Sequence, residues 1–216
     1  MIRVLVTGFE TFGDEPVNPS KELAIKLDGQ VLGRAQVYGY VLPVSYNRAK
    51  KAVKYILETI DPRIVLSFGL SPQRTVVSIE RIALNYAHSR IPDNDGVFLS
   101  HARIINEGPI ALESTINTQR ARDIFIENGI PAIVSYHAGT FLCNYVFYLM
   151  LYYSMVSERK AGFIHIPYTH KNIISMLRRN KIKTAPSIDE EKLLHAIRKL
   201  IINLVEEERL VSHNSK

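Results

Sequence analysis

The sequence predicts an α/β protein, a three-layer α/β/α sandwich built around a mostly parallel, twisted central sheet. Short apolar runs rich in β-branched residues alternate along the chain with longer amphipathic runs, as strands and helices do in such folds. No internal repeat, low-complexity tract or linker interrupts the 216 residues. We therefore expect one domain over residues 1–216, with 46% hydrophobic residues available to fill its core.

The strands are predicted from the apolar runs and the helices from the amphipathic ones. The apolar runs are residues 2–7, 36–42, 64–69, 76–84, 132–136 and 162–166. The helical runs are residues 19–27, 46–60, 117–128, 140–156 and 188–208. The clearest helical stripe is formed by Ala49, Ala52, Val53, Ile56, Leu57 and Ile60. Because helices separate most of the strands, we expect most strand pairs to be parallel.

Cysteine content and the start of the chain indicate the environment of the protein. Cys143 is the single cysteine, so no internal disulfide can form and no Cys-x-x-Cys pair is present to hold zinc. The chain opens on an apolar, strand-like run instead of a basic and then apolar signal segment. These features predict a reducing, cytoplasmic location.

Two segments raise the question of a membrane or nucleic-acid partner. Residues 138–157 carry no charge and are long enough to span a bilayer, but Asn144 and several tyrosines interrupt them, which favours a helix buried in the core. The net charge of +6 includes a basic run at Arg178, Arg179, Lys181 and Lys183. That run is short and lacks interleaved aromatic residues, so it favours a solvated loop. Binding of nucleic acid or another anion through residues 178–183 is kept as an alternative function.

The segment around Cys143 is typical of a strand, a turn and a helix start. The apolar run 132–136 ends before Gly139, and Thr140 is a good N-cap for the helix that follows. Cys143 would then be the third residue of the first helical turn, where the helix dipole favours a thiolate. A thiolate there could serve as a nucleophile for acyl transfer. The alternative is a small buried core residue.

A glutamate and a histidine in two apolar strands could complete a catalytic group with this cysteine. Alternation places Ser78 and Glu80 on one strand face and Arg81 on the other, so Arg81 cannot pair with Glu80 within the strand. His165 lies near the end of another short strand. The alternatives are an edge glutamate that reaches water and a histidine satisfied within the core. Taken together, the three side chains would supply a nucleophile, a base and an orienting group.

The loop after the first strand carries Phe9 and Phe12 in the run Gly8-Phe9-Glu10-Thr11-Phe12-Gly13. It has no Gly-x-Gly-x-x-Gly pattern, which argues against a dinucleotide cradle. The two phenylalanines either pack the loop down or line a pocket at the carboxyl end of the sheet.

Several separated motifs resemble those of the pyroglutamyl peptidase type I family, and they occur in that family's order. The motifs are Gly8-Phe9 with Phe12-Gly13, Asn18-Pro19-Ser20, Glu80-Arg81-Ile82-Ala83, Arg90-Ile91-Pro92-Asp93-Asn94-Asp95-Gly96, Gly129-Ile130-Pro131-Ala132, Ala138-Gly139-Thr140-Phe141-Leu142-Cys143-Asn144 and Gly162-Phe163-Ile164-His165-Ile166-Pro167-Tyr168. The resemblance implies a cysteine peptidase that removes N-terminal pyroglutamate from peptides, needs no metal or cofactor, and is commonly a homotetramer.

By motif, the resemblance also assigns roles to individual residues. Cys143 is similar to the nucleophile, His165 to the general base and acid, and Glu80 to the group that orients the histidine. Arg90 and the backbone N–H of Cys143 are candidates for stabilising the oxyanion. The residues that match the family's lactam pocket are Phe9, Phe12, Ile91, Phe141 and Leu142.

Some positions depart from the family pattern. Thr11 replaces a usual proline, Leu70 a frequent glutamine, and Tyr136-His137 a usual Asn-Thr pair. The turn before the glutamate strand is Pro72-Gln73-Arg74 where the family has Gly-Gly-Arg. None of these changes removes a catalytic group, but they keep open a catalytically weak relative with an altered substrate.

Overall fold

A central sheet of seven strands organises the computed structural model, which describes residues 1–13, 15–180 and 185–214. Its strands, numbered along the chain, are β1 (Ile2–Phe9), β2 (Val31–Leu32), β3 (Ala35–Leu42), β4 (Ile64–Leu70), β5 (Val77–Glu80), β8 (Ala132–Ser135) and β9 (Lys160–Ile166). They lie in the order β2-β3-β1-β4-β9-β5-β8. The β2–β3 and β5–β9 pairs are antiparallel and the other four are parallel. The prediction of a mostly parallel sheet is confirmed.

Helices cover both faces of this sheet. They are α1 (Pro19–Leu27), α2 (Tyr46–Ile60), α3 (Thr118–Glu127), α4 (Leu142–Met155), α5 (His170–Arg178) and α6 (Glu190–Asn214). Buried residues of α1, α3 and α6 form one apolar core with the sheet, and those of α2 and α4 form a second core on the other face. This arrangement is the predicted three-layer sandwich, and the candidate catalytic residues belong to the α2/α4 side.

Two helices occupy the predicted residues from end to end because their first turns are capped by side chains. Asn18 accepts a hydrogen bond from the backbone N–H of Ser20 at the start of α1, and Ser45 accepts one from Arg48 at the start of α2. Such caps satisfy backbone donors that a helix leaves open at its start. Helix α2 then buries the apolar stripe that the spacing indicated.

The run 76–84 is not the single strand that its apolar character predicted. It divides into β5 in the central sheet and β6 (Ile82–Leu84), which pairs with β7 (Ala111–Glu113) in a separate two-stranded sheet. Arg81 marks the division, since its N–H donates to Ser135 and its carbonyl accepts from Ser114. The chain thus changes partners at one residue, which a hydrophobic pattern does not show.

The start of α4 also differs from the prediction. The helix begins at Leu142 with Phe141 as N-cap, while the Thr140 hydroxyl donates to the carbonyl of His88 instead of capping the helix. Cys143 is therefore the second helical residue and not the third. This shift by one residue leaves Cys143 within the first turn.

The described residues include the segments that raised the question of a membrane or nucleic-acid partner. None of their helices is both long and apolar enough to cross a membrane. The uncharged segment instead forms α4, whose buried residues contribute to the α2/α4 core. The basic run begins at the end of α5 with Arg178 and Arg179, whereas Lys181 and Lys183 lie outside the described residues.

Candidate active site

Strand register brings the predicted histidine and glutamate to one place on the sheet. His165 of β9 lies opposite Gly69 of β4 on one side and Ser78 of β5 on the other. Glu80 lies opposite Phe163, two residues before His165. Because registered neighbours and alternate residues of a strand share a face, the side chains of Glu80 and His165 point to the same face.

The two side chains form a buried hydrogen bond. His165 Nδ1 lies 2.7 Å from Glu80 Oε1, and both residues are buried, with Glu80 fully shielded from solvent. The bond to the carboxylate places the imidazole proton on Nδ1 and leaves Nε2 as the nitrogen that can take up another proton. The alternative of an edge glutamate reaching water is wrong for this residue.

Helix α4 brings Cys143 over the same part of the sheet. A Cβ placed on Gly69 would come within 3.0 Å of Cys143 Sγ, so the thiol rests directly against this glycine. Gly69 is the register neighbour of His165, and a Cβ there would point to the face that carries the imidazole. The thiol and the imidazole are therefore neighbours above the central strands.

Asn144 holds the start of α4 in this position. Its side chain accepts from the N–H of Leu84 and donates to the carbonyls of Leu84 and Tyr86, and the residue is fully buried. Three hydrogen bonds from one side chain fix the helix start to β6. The residue after the nucleophile candidate is thus an anchor, a role that the sequence motif alone did not reveal.

The electrostatics of Cys143 qualify one expectation. Burial raises the pKa of the Cys143 thiol to about 12, the charge of Glu80 adds to the rise, and Arg74 opposes it. Desolvation thus opposes the thiolate that the helix start favours, since the helix dipole contributes only about 1 kcal/mol at such a position. Cys143 is half-buried, and its ionisation depends on a base that can take the proton.

Arg74 is a charged neighbour of the site to which the sequence analysis gave no role. Its NH2 group lies 2.8 Å from Glu80 Oε1 and also donates to the carbonyl of His137 at 2.9 Å. The signal was present in the sequence, as an arginine a few residues ahead of the glutamate strand, but only geometry shows which carboxylate it contacts.

An apolar cleft opens beside Cys143. Its lining combines residues of the loop after β1, the end of β4 and the start of α4: Phe9, Phe12, Glu15, Asn18, Val44, Leu70, Pro72, Phe141, Leu142 and Cys143. The rings of Phe12 and Phe141 lie 5.2 Å apart between centroids. Phe9, Phe12, Phe141 and Leu142, which the resemblance assigned to a lactam pocket, thus line one cleft together with Cys143.

Ile91 and Arg90 do not join this lining. Ile91 is 52% exposed and Arg90 is exposed beside it. The same loop has a clear architectural role further on. Buried Asp93 accepts hydrogen bonds from the backbone N–H groups of Tyr46, Asp95 and Val97. The loop is thereby pinned to the start of α2.

The loop that carries the two phenylalanines is tied to the histidine strand. The hydroxyl of Tyr168, three residues after His165, donates to Glu15 Oε1 at 2.6 Å. The side chain of Asn94 donates to the carbonyl of Thr11 and holds the same loop from another side. Neither contact could be inferred from spacing, because each joins parts of the chain that are far apart in sequence.

The first turn of α4 offers backbone donors beside the thiol. The first hydrogen bond of the helix runs from the N–H of Tyr145 to the carbonyl of Phe141, at 3.1 Å. The N–H groups of Leu142 and Cys143 therefore have no acceptor within the helix. Such donors at a helix start favour a negative oxygen.

Comparison with known proteins gives a consistent result. A model of the family described as pyroglutamyl peptidase matches residues 2–207. The pyrrolidone-carboxylate peptidase of Pyrococcus furiosus is 42% identical over 208 residues, which cover 95% of this chain and 99% of that protein. The corresponding protein of Bacillus subtilis is 38% identical over 198 residues, or 91% and 89% of the two chains.

Solved structures agree with the sequence comparison. A mutant pyrrolidone carboxyl peptidase from Pyrococcus furiosus superposes with a TM-score of 0.90 at 42% identity, covering 95% of this chain and 99% of that one. The pyrrolidone carboxyl peptidase from Thermococcus litoralis gives 0.89 at 40% identity and covers 96% of each chain.

Proposed function

This chain belongs to the pyroglutamyl peptidase family, and on that premise we propose that Cys143, His165 and Glu80 carry out the removal of pyroglutamate from the N-terminus of peptides. The observation that supports this most strongly is the buried His165–Glu80 hydrogen bond near Cys143, which itself lines an aromatic cleft. A nucleophile, a base and an orienting carboxylate are the groups that an acyl-transfer mechanism needs.

Because desolvation opposes ionisation of the thiol, the first step couples proton transfer to attack. His165 Nε2 takes the proton of Cys143 as Sγ bonds to the carbonyl carbon that joins pyroglutamate to the next residue. The imidazolium then gives this proton to the leaving amine as the C–N bond breaks. In the second half, His165 takes a proton from water, whose oxygen displaces Sγ, and the proton returns to sulfur as pyroglutamate leaves.

Glu80 acts on this cycle through His165. Its bond to Nδ1 fixes the tautomer and the orientation of the imidazole, and its negative charge stabilises the imidazolium formed after each proton uptake. Oxyanion stabilisation is assigned to the free N–H groups at the start of α4, including that of Cys143. Arg90 remains a second candidate donor, exposed and outside the cleft lining.

The cleft suits a pyroglutamyl ring. The ring is compact, carries no charged α-amine, and presents one lactam N–H and one lactam carbonyl. Phe12 and Phe141, whose rings contact each other, offer an apolar surface on which the ring can pack, and backbone groups can read the lactam edge. Leu70 lies in the lining at the end of β4, so a contact made there by the backbone does not depend on the usual glutamine side chain.

The cellular setting and the assembly are also part of the proposal. The single cysteine supports a reducing, cytoplasmic location. The family resemblance supports a homotetramer, and Ile91 stays a candidate pocket residue on the same ground as Arg90. Nothing in the described part of the basic run favours the alternative of nucleic-acid binding.

A chromogenic pyroglutamyl amide tests the proposal directly. We expect turnover by the native chain, its loss in Cys143→Ala, and a native-like circular dichroism spectrum for that variant. A prolyl amide is the matched control substrate, because proline keeps the ring but lacks the lactam carbonyl and carries a charged amine. A hydrogen-bonding site should discriminate between them by about ten-thousand-fold. Retained turnover in Cys143→Ala, or equal rates on both amides, would contradict the assignment.

A further inference from the structure

Arg74 links two parts of the site that approach from different elements. One NH2 group contacts both Glu80 Oε1, at 2.8 Å, and the carbonyl oxygen of His137, at 2.9 Å. His137 lies six residues before Cys143, in the turn that leads into α4. A single guanidinium thus joins the orienting carboxylate to the segment that positions the nucleophile.

The charge of Glu80 requires such a partner. Its side chain is completely buried, and a buried carboxylate is costly unless a cation or several hydrogen bonds compensate it. A neutral His165 contributes one hydrogen bond to Oε1, while Oε2 is buried without a partner among the described residues. The guanidinium of Arg74, 22% exposed at its side chain, supplies the compensating positive charge.

We infer that Arg74 is a positioning residue that balances the buried charge of Glu80, holds this carboxylate toward His165 and fixes the turn before Cys143. This inference rests on the proposed function of the Cys143–His165–Glu80 group. It assigns two separable roles to Arg74. The positive charge balances Glu80, and the geometry of the guanidinium ties Glu80 to the backbone at His137.

The charge role has a predictable sign. Among the described residues, the titratable and charged groups near this point include Glu80 from β5, His165 from β9, Cys143 from α4, Tyr46 from α2 and, in the turn that Arg74 contacts, His137. Removing a positive charge makes every neighbouring proton harder to lose. The acid limb of the pH–rate profile should therefore move to higher pH in a neutral variant. The apparent pKa of this limb reflects all the interacting groups of the site together, so the shift is not assigned to one residue.

Two substitutions separate the roles. Arg74→Gln removes the charge, whereas Arg74→Lys keeps it but replaces the planar fork with a point charge that cannot hold both acceptors in the same geometry. We expect Arg74→Gln to shift the acid limb upward and to slow alkylation of Cys143 by iodoacetamide at neutral pH by about tenfold. Arg74→Lys should keep the acid limb and lose about ten- to a hundredfold in kcat/KM.

Arg81→Gln is the matched control. Arg81 is also an ion-paired arginine, bonded to Glu113 at 2.6 Å, but it points away from the site. We expect it to change neither the acid limb nor the alkylation rate. If Arg74→Gln does not fold, Arg74→Lys alone tests the inference. A reduced kcat/KM together with an unchanged acid limb in that variant would support it.

The outcomes distinguish this inference from the proposed function. An inactive native chain would refute the function itself, and alkylation of Cys143, which needs no substrate, would still report on Arg74. An active native chain whose two Arg74 variants match it in kcat/KM, acid limb and alkylation rate would overturn the positioning role. An acid limb that moves equally in Arg74→Lys and Arg74→Gln would overturn the division into charge and geometry.

Discussion

At the scale of single residues, the choice between two histidines determines the mechanism. His137 is near Cys143 in sequence, but its Nδ1 accepts a hydrogen bond from the N–H of Gly139 and so stabilises the turn. His165 has Nδ1 bound to Glu80 and belongs to the strand beside Gly69, against which the thiol rests. The geometry therefore supports His165 as the base and His137 as a residue of the turn.

Turnover of the two alanine variants checks this assignment. Loss of a general acid and base typically costs a hundred- to ten-thousand-fold, and we expect His165→Ala at the severe end because a thiol with a raised pKa depends on its base. His137→Ala should stay within about tenfold of the native rate, or under about 1.4 kcal/mol. Thermal unfolding of both variants serves as the control for folding. The reverse order of severity would overturn the roles of both His165 and Glu80.

The sequence indicated the candidate reactive residues more readily than the residues around them. Cys143, His165 and Glu80 each have a side chain whose chemistry is rare in an apolar segment, so pattern and resemblance pointed to them. Arg74 and Asn144 act through contacts with Glu80 and with the backbone of β6, and their residue types are ordinary in loops and helices. Only the fold reveals which acceptors they reach.

At the scale of elements, the close approach of α4 to β4 depends on Gly69. A Cβ at this position would lie 3.0 Å from both Cys143 Sγ and a ring atom of Phe163. An alanine there would displace the thiol or tilt the helix start. The site therefore needs a glycine at this position because a side chain would crowd the thiol, and not because the backbone needs the conformational freedom of glycine.

Gly69→Ala should reduce kcat/KM by about tenfold, because the thiol must give way by a few tenths of an ångström and a displacement on the order of 1 Å costs about a hundredfold. Overpacking should cost about 1–3 kcal/mol of unfolding free energy. Gly162→Ala is the matched control, since its Cβ would meet the side chain of Ile116, which belongs to the core on the other sheet face. We expect that control to lose similar stability while keeping most of its activity, as measured by urea unfolding and pyroglutamyl amide turnover. Comparable activity losses in the two variants would show that the effect is global.

Element boundaries were predictable where local chemistry determines them. Caps at Asn18 and Ser45 start α1 and α2 at the expected residues. Two departures have tertiary causes: Arg81 passes the chain from one sheet to another, and Thr140 gives its hydroxyl to His88 instead of capping α4. A third has a local cause, since α5 begins at a Thr169–Asn172 capping box that the apolar pattern did not indicate.

At the scale of the whole molecule, the order of the sheet determines where the site lies. Strands β4 and β9 run parallel, so Leu70 and His165 lie near the carboxyl ends of neighbouring strands. Strand β5 is antiparallel to β9 and brings Glu80 to the same place from the opposite direction. The sequence predicted the parallel sheet from alternation of elements. It could not predict that β5 enters antiparallel beside β9, because strand order depends on packing across the whole fold.

The α2/α4 core also makes the whole molecule sensitive to alkaline pH. Burial is the main cause that raises the pKa values of Tyr46, Tyr148 and Tyr153, and it raises those of Tyr145 and Cys143 to about 12. Ordinary values are 10.0 for tyrosine and 9.0 for cysteine. An unfolded chain therefore loses these protons at lower pH than the folded chain does.

The sign of the stability change follows from this difference in proton binding. A group whose pKa is raised by folding contributes its full stability below the unfolded value, and that stability is lost as pH rises toward the folded value. For Tyr145 and Cys143 the window runs from the ordinary values to about 12. We therefore expect the free energy of unfolding in urea to fall steadily from about pH 9 to about pH 11.

Tyr145→Phe removes one of the titrating hydroxyls and should reduce the slope of this fall, while Tyr55→Phe, at a side chain exposed on α2, should leave it unchanged. An unfolding free energy that stays constant over this window would mean that the buried hydroxyls and the thiol titrate as freely in the folded chain as in the unfolded one.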